Sequence, residues 1–271
     1  MSARPAAAAV YKRRVRASEA RVWENVLDFE HLPWLHGHAF AALEPLDAGE
    51  LGWRARVRLA APEGARGPDI LLALELDRAR RRYAARTLEG PGAGTEIWTR
   101  LAFLEPDVTE IEVAFHVPGL AERRRDAVGA AYVQLYTRLW DEDEGMMRRR
   151  QQVLDRRLVG ARPRGGRRLD LGPAAALAAR APCEIEVEGV PLRVAALGDA
   201  LFAHAAVCPH QGGPLEPDAA GATVVRCPWH GFAFDLRDGV RCAGRGAGLP
   251  FARRIEVDER GGAWLAVDGM R

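Results

Sequence analysis

The chain has 271 residues, 48% apolar and 28% charged, the balance of a soluble globular protein with room for one large domain or two ordinary ones. A formal charge of +2 gives no field for nucleic acid, and no apolar run is long enough to cross a bilayer. The Ala-rich start carries its basic residues after the apolar stretch, the reverse of a secretory signal, so a cytoplasmic protein with neither nucleic-acid nor membrane partners is expected. Lys12 is the only lysine, and the runs Arg123–Arg125 and Arg148–Arg150 read as solvated helix faces.

In chain order, Val10–Arg16 alternates as a strand. Ser18 is placed as the N-cap of a helix reaching about Phe29, with Glu19 and Glu24 nearby. Alternating apolar runs at Leu51–Leu59, Ile70–Leu76, Arg82–Leu88, Glu96–Leu104 and Thr109–Val117 predict five strands. Pro118-Gly119 breaks that pattern. From Ala121 to Val159 there is no proline, and Val128, Tyr132, Leu135, Leu139, Met146 and Val153 recur at helical spacing, which predicts one long helix. Gly160–Arg168 has the Gly, Pro and Arg content of a linker. The order up to that point resembles the helix-grip fold of the START-like superfamily. The resemblance implies an α+β domain whose curved sheet wraps the last helix around an apolar cavity. Trp53, Tyr83, Trp98 and Phe115 are candidates for the cavity wall and for the core alike.

Beyond the linker only short strands and glycine-rich turns are expected, at Cys183–Val187, Leu192–Leu197, Ala200–Ala206, Thr223–Arg226, Arg254–Val257 and Ala263–Val267, with no helix. The expected organisation is a domain over 1–159, a linker over 160–169 and an all-β domain over 170–271. Four cysteines occur, two of them one or two residues from a histidine, which points to metal rather than to disulfides. Cys208-Pro-His210 and Cys227-Pro-Trp-His230 read C-x-H, sixteen intervening residues, then C-x-x-H. A zinc site usually groups Cys with Cys and His with His, whereas here each segment supplies one of each. These segments resemble Rieske domains of the ferredoxin and ring-hydroxylating oxygenase type. The resemblance implies a [2Fe–2S] cluster held by Cys208, His210, Cys227 and His230, with two thiolates on one iron and two imidazoles on the other. Respiratory-complex Rieske proteins carry an extra cysteine in each loop. Gly213 stands where the first would be and the second loop has none, so the resemblance is to the lower-potential branch. Cys183 and Cys242 read as small buried hydrophobes.

A cluster alone moves one electron, so the remaining question is what receives it. Between Glu24 and His36 lies D-x-x-H-x-x-x-x-H, formed by Asp28, His31 and His36, with Asn25 just upstream. This resembles the iron-binding stretch of Rieske non-haem iron oxygenases. The resemblance implies a mononuclear Fe(II) bound by His31, His36 and an acid on the final helix. Asp143 best matches the family's carboxylate, and Glu142 is the alternative because it follows the apolar stripe better; the four acids from Asp141 to Glu144 read equally as a solvated charged turn. The family gives Asp28 the part of a catalytic link between the iron histidine and a cluster histidine. His38 reads as a bystander and His116 as structural. Compared with the usual oxygenase subunit, the two domains stand in reversed order. The implied activity is a mono- or dioxygenase that takes electrons from a separate ferredoxin or flavin reductase and uses O₂ to hydroxylate, demethylate or cyclise an apolar small molecule. The family also implies a homotrimer. The alternative is a START-like ligand-binding domain fused to a Rieske electron carrier without catalysis.

Overall fold

The computed structural model describes residues 5–218, 223–243 and 246–267. It divides into two compact units, Met1–Arg148 and Arg149–Arg271. Among the described residues no helix is long and apolar enough to cross a membrane.

The first unit opens with strand β1 (Ala9–Val15) and helix α1 (Glu19–Leu27), whose Ser18 hydroxyl accepts from the Arg21 N–H as the predicted cap. The helix stops at Leu27, two residues before the expected end. Asp28 leaves helical geometry there, and a 3₁₀ turn at Phe29–His31 and a single turn α2 (Leu32–Leu35) follow. Pro33 sits in the first turn of α2, where its missing N–H costs nothing.

Six strands come next: β2 (Phe40–Gly49), β3 (Gly52–Leu59), β4 (Asp69–Asp77), β5 (Arg82–Glu89), β6 (Glu96–Glu105) and β7 (Val108–His116). They form one antiparallel sheet in the order β1-β7-β6-β5-β4-β3-β2. Five of the six match the predicted runs, and β2 is the strand the sequence concealed. It contains Pro45, pairs irregularly around Phe40/Ala42 and Pro45/Asp47, and lies at the sheet edge with most side chains out of the core. An edge is where proline and broken alternation are tolerated.

Helix α3 (Arg125–Asp155) lies within the predicted span. Tyr132 stacks on Phe115 of β7 at 5.0 Å and Tyr136 meets the same ring edge-on at 4.9 Å, which fixes the helix on the sheet. Trp140 and Met147 join Val22, Trp53, Val57 and Ile111 in the core between them. A seven-stranded antiparallel sheet closed by a long last helix is the helix-grip architecture. Arg148 and Arg149 are exposed, as are Arg123 and Arg124.

The second unit is mostly β: β8 (Arg168–Pro173), helix α4 (Ala174–Arg180), then β9 (Cys183–Val187), β10 (Val190–Leu197), β11 (Ala200–Ala205), β12 (Glu216–Pro217), β13 (Val224–Arg226), β14 (Ala233–Asp235), β15 (Ala252–Arg254), β16 (Glu256–Val257) and β17 (Gly262–Ala266). Among the described residues they form three small sheets, ordered β15-β11-β10-β9, β12-β13-β14 and β16-β17-β8. Helix α4 corrects the expectation of no helix here. Its Ala-rich run gives little periodic signal, yet Leu177 anchors it in the core and Pro182 bars its extension. Cys242 corrects another expectation: it is exposed, and Cys183 is only half-buried.

Candidate functional site

Two clusters of metal-ligating side chains stand out, one in each unit. In the second unit, one loop follows β11 and the other joins β13 to β14. Their backbones are built alike. The Cys208 N–H donates to Gly213 O (2.8 Å) and Gly212 N–H to Cys208 O (2.9 Å); the Cys227 N–H donates to Phe232 O (2.8 Å) and Gly231 N–H to Cys227 O (2.9 Å). Gly212 and Gly231 close these turns at φ of 79° and 67°, a conformation that an L side chain resists. Gly213 is required for a different reason: a Cβ there would lie 2.6 Å from Cys227 Sγ and 2.8 Å from the Trp229 ring.

The loops bring the four predicted ligands together in two pairs, cysteine with cysteine and histidine with histidine. The His210 and His230 rings are 4.5 Å apart, centre to centre, and nearly perpendicular. The two buried thiols hydrogen-bond to each other, which favours the thiolate at Cys208; the His210 and Gln211 N–H groups and the Arg241 charge add to that. Arg241 lies over the Phe232 ring at 3.5 Å, and Phe232 lies 4.8 Å from the His210 ring. Cys227 and His230 are buried while His210 is exposed. Two thiols in contact and two imidazoles in contact, carried on the same pair of loops, are the donor set of a [2Fe–2S] cluster with thiolates on one iron and histidines on the other, so the residues fit that group. The remaining histidine of this unit, His204, is wholly buried; burial pushes it down to about 4, so it stays neutral, and its Nδ1–H donates to the Ala205 carbonyl.

In the first unit, the turn after α1 carries Asp28, His31 and His36, and α3 carries the acids. His31, His36 and Asp143 are all buried, with ligating atoms within 4.8 Å of one another. Asp143 Oδ1 lies 3.0 Å from His36 Nε2 and 3.5 Å from His31 Nε2. Behind each ring stands a second carboxylate: Asp28 Oδ2 is 3.7 Å from His31 Nδ1, and Glu142 Oε2 is 2.7 Å from His36 Nδ1. Protons held on the Nδ1 side turn both Nε2 lone pairs toward Asp143, three acceptors that need a cation among them. Two imidazoles and one carboxylate on one side of a cavity are the donor set of a facial triad, so the residues fit a mononuclear iron. Without metal, a proton fills the gap. Burial works against a charged His31, but the neighbouring carboxylates of Asp143 and Asp28 outweigh it and raise the ring to about 9. Burial likewise opposes the charge on Asp143, and the two histidines overcome it, holding that carboxyl well below its usual range.

The acidic run is no solvated turn. Glu144 is buried and paired with Arg13 and Arg16, Asp141 meets Arg13, and Glu142 accepts from Arg138 as well as His36. Asp143, not Glu142, faces the two Nε2 atoms. His38 lies 3.6 Å from Glu142, and His116 contacts the Pro5 carbonyl away from the triad.

A cavity of about 120 Å³ opens beside the triad, with Asn25, Phe40, Trp53, Tyr83, Tyr136 and Trp140 among its walls. Of the four aromatics singled out from the sequence, Trp53 and Tyr83 line it, whereas Phe115 packs against Tyr132 and Tyr136 and Trp98 lies under Arg82 and Arg86. Burial pushes the Tyr83 and Tyr136 phenols above their ordinary range, with the charge of Asp143 adding to it. Tyr136 and Trp140 escaped the sequence reading, although both sit one or two helical turns before Asp143, a spacing that places them on its face.

Residues 168–250 match the family model for the Rieske [2Fe-2S] domain. The chain therefore carries a Rieske domain, which implies the cluster and electron transfer. No curated protein matches the chain. Among solved structures, it is similar to the Zhui aromatase/cyclase from a Streptomyces species (18% identity, TM-score 0.43, covering 52% of this chain and 93% of that one). It is also similar to a START superfamily protein from Mycobacterium smegmatis (17%, TM-score 0.41, 51% and 95%). The di-domain ARO/CYC StfQ from the steffimycin biosynthetic pathway is a third (15%, TM-score 0.44, 78% and 80%). At TM-scores below 0.5 these are likenesses of outline, and the helix-grip description rests on the chain's own sheet and helix.

Proposed function

We propose that the chain is a Rieske-type oxygenase, with His31, His36 and Asp143 holding a mononuclear Fe(II) and Cys208, His210, Cys227 and His230 holding the cluster. The observation that carries this reading is the convergence of two histidines and one carboxylate on the wall of a mostly apolar cavity, in a chain that also carries a Rieske domain. When bound, the cluster supplies single electrons and the lone iron a site at which O₂ is reduced. The chain's own residues do the rest. Asp28 and Glu142 orient the two rings, and Trp53, Leu72 and Leu74 keep water from the substrate. Tyr83 and Tyr136 remain protonated at neutral pH. The balance for a hydroxylation is R–H + O₂ + 2 e⁻ + 2 H⁺ → R–OH + H₂O, with both electrons from a separate ferredoxin or flavin reductase. Demethylation and oxidative cyclisation draw on the same supply.

One observation favours a second reading, a ligand-binding domain fused to an electron carrier. The 3.0 Å contact between His36 and Asp143 satisfies both groups with a proton alone. Oxygen uptake by the reconstituted chain, given NADH and a ferredoxin–reductase pair, separates the two. Uptake that depends on an added ligand and disappears in His31→Ala supports the oxygenase. Cluster reduction with no such uptake supports the carrier.

A further inference from the structure

The stretch from Arg149 to Arg168, in the second unit, holds eight arginines and one acid, Asp155. Its formal charge of +7 exceeds the +2 of the whole chain, so the remaining residues taken together are acidic. Arg156, Arg157, Arg162 and Arg164 are exposed, and among the described residues none of their guanidinium groups has an ion-pair partner. Their neighbours Arg167 and Arg168 are paired, with Glu188 and Glu256. Arg157, Arg162 and Arg164 line one groove with Val159, Val190 and Glu188. The Glu188 carboxylate in it is already taken by Arg167 and by the Arg164 N–H. Unpaired like charges repel one another, and an anionic surface laid against them relieves that.

Packing ties this stretch to the cluster loops. Val153 is buried against Ala206 and Val207, and Leu158 joins the same contact. Those two residues lead directly into the loop that carries Cys208 and His210. A Cβ on Gly212 of that loop would lie 2.5 Å from Val153 Cγ1. Arg156 and Arg157 fall between Val153 and Leu158, so the cationic stretch borders the loop that carries His210, which is exposed where His230 is buried. We infer that the arginines from Arg156 to Arg164 form the docking face for an acidic protein carrier of single electrons, of the plant-type [2Fe–2S] ferredoxin kind, which delivers its electron on the His210 side. In that step one electron leaves the reduced ferredoxin and reduces one ferric iron of the cluster, with no bond or proton moved. Plant-type ferredoxins lie at lower potential than histidine-ligated clusters, so the step runs downhill. The inference rests on the electron supply proposed above and assigns its point of entry.

The test follows reduction of the cluster-loaded full chain by a reduced acidic plant-type [2Fe–2S] ferredoxin in stopped flow, with photoreduced deazaflavin as a small reductant that needs no docking. For wild type the second-order rate with ferredoxin is expected to fall steeply as salt rises. Changing Arg156, Arg157, Arg162 and Arg164 together to Glu is expected to lower the low-salt rate about 100-fold, while the deazaflavin rate and the visible spectrum stay the same. The same four changed to Lys should restore most of the rate, because the face works through charge. If the four-Glu variant does not take up the cluster, Arg156→Glu with Arg157→Glu provides the comparison, with a loss of about tenfold. Arg180→Glu with Arg260→Glu, at the end of α4 and in the turn between β16 and β17, changes the net charge equally at two exposed sites and should alter the rate less than about twofold. An unchanged ferredoxin rate in the Glu variants overturns the inference, and phosphatidylserine vesicles captured through the same arginines would then identify a membrane as the occupant. An equal loss in the Arg180 and Arg260 pair overturns it as well. The lone iron takes no part in the measurement. Slowed reduction in a chain that binds only two irons keeps the docking face and removes the oxygenase; three irons with an unchanged rate remove the docking face alone.

Discussion

The two metal-ligating clusters are built on opposite principles. The cluster loops are local: each supplies a cysteine and a histidine within four residues, closed by the same pair of backbone hydrogen bonds and a glycine at positive φ. The triad is distributed, with two histidines from an irregular turn after α1 and one carboxylate from α3 more than a hundred residues later. A local site depends on its own turns. A distributed site depends on how a whole sheet and helix pack, and so on residues that touch no metal.

That contrast can be broken by mutation, and the largest effect belongs to the cluster. Cys227→Ser is expected to abolish the visible and EPR spectra of the [2Fe–2S] centre while leaving Fe(II) binding in the first unit intact. Loss of both would mean that the two sites are not separate. Gly213→Ala comes next. The added methyl would lie only 2.6 Å from Cys227 Sγ, so cluster loading should fall severely although the far-ultraviolet circular dichroism stays the same.

For the distributed site, Asp143→Asn is expected to eliminate Fe(II) binding, whereas Glu142→Gln should weaken it roughly 10- to 100-fold, as loss of a carboxylate behind a ligating histidine does. Anaerobic titration with Fe(II) ranks the two, and the reverse ranking would make Glu142 the ligand. A smaller effect follows from pH. The His31 pKa in the metal-free chain is raised to about 9, so near neutrality a metal ion must displace its proton. Affinity should climb by about tenfold per pH unit from neutrality and level off near pH 9. The sign for stability is opposite. A raised histidine stabilises the metal-free fold fully below about pH 6.5 and loses that contribution as pH rises through about 9, so the melting temperature of the metal-free chain should drop over that interval. Bound metal removes the slope. The smallest effect is at Arg241, whose charge lies near Cys208 and over Phe232. Arg241→Gln should shift the cluster potential slightly downward in protein-film voltammetry, because a positive charge favours the reduced state.

The same contrast explains what the sequence disclosed. The Cys and His residues proposed for the cluster stood out because their spacing is the motif. His31 and His36 stood out for the same reason, being five residues apart with Asp28 beside them. The choice between Asp143 and Glu142 was open because the helical stripe taken from Val128, Tyr132, Leu135 and Leu139 runs along one flank of α3. The face that meets the triad centres on Tyr136, Trp140, Asp143 and Met147. A phase difference of one residue decides which acid points inward, and only packing against Phe115 and the sheet sets that phase. Strand β2 and helix α4 were missed for a related reason. An edge strand with a proline and a short alanine helix are shaped by their neighbours more than by their own pattern.

The central claim is that His31, His36 and Asp143 hold a ferrous ion in addition to the cluster. Iron counted per chain after anaerobic reconstitution tests it most directly, on wild type and on a variant carrying His31→Ala with His36→Ala. About three irons in wild type and about two in the variant, with identical cluster spectra, are the expected values. Two irons in both would contradict the account and leave a chain that carries electrons without a site at which to spend them.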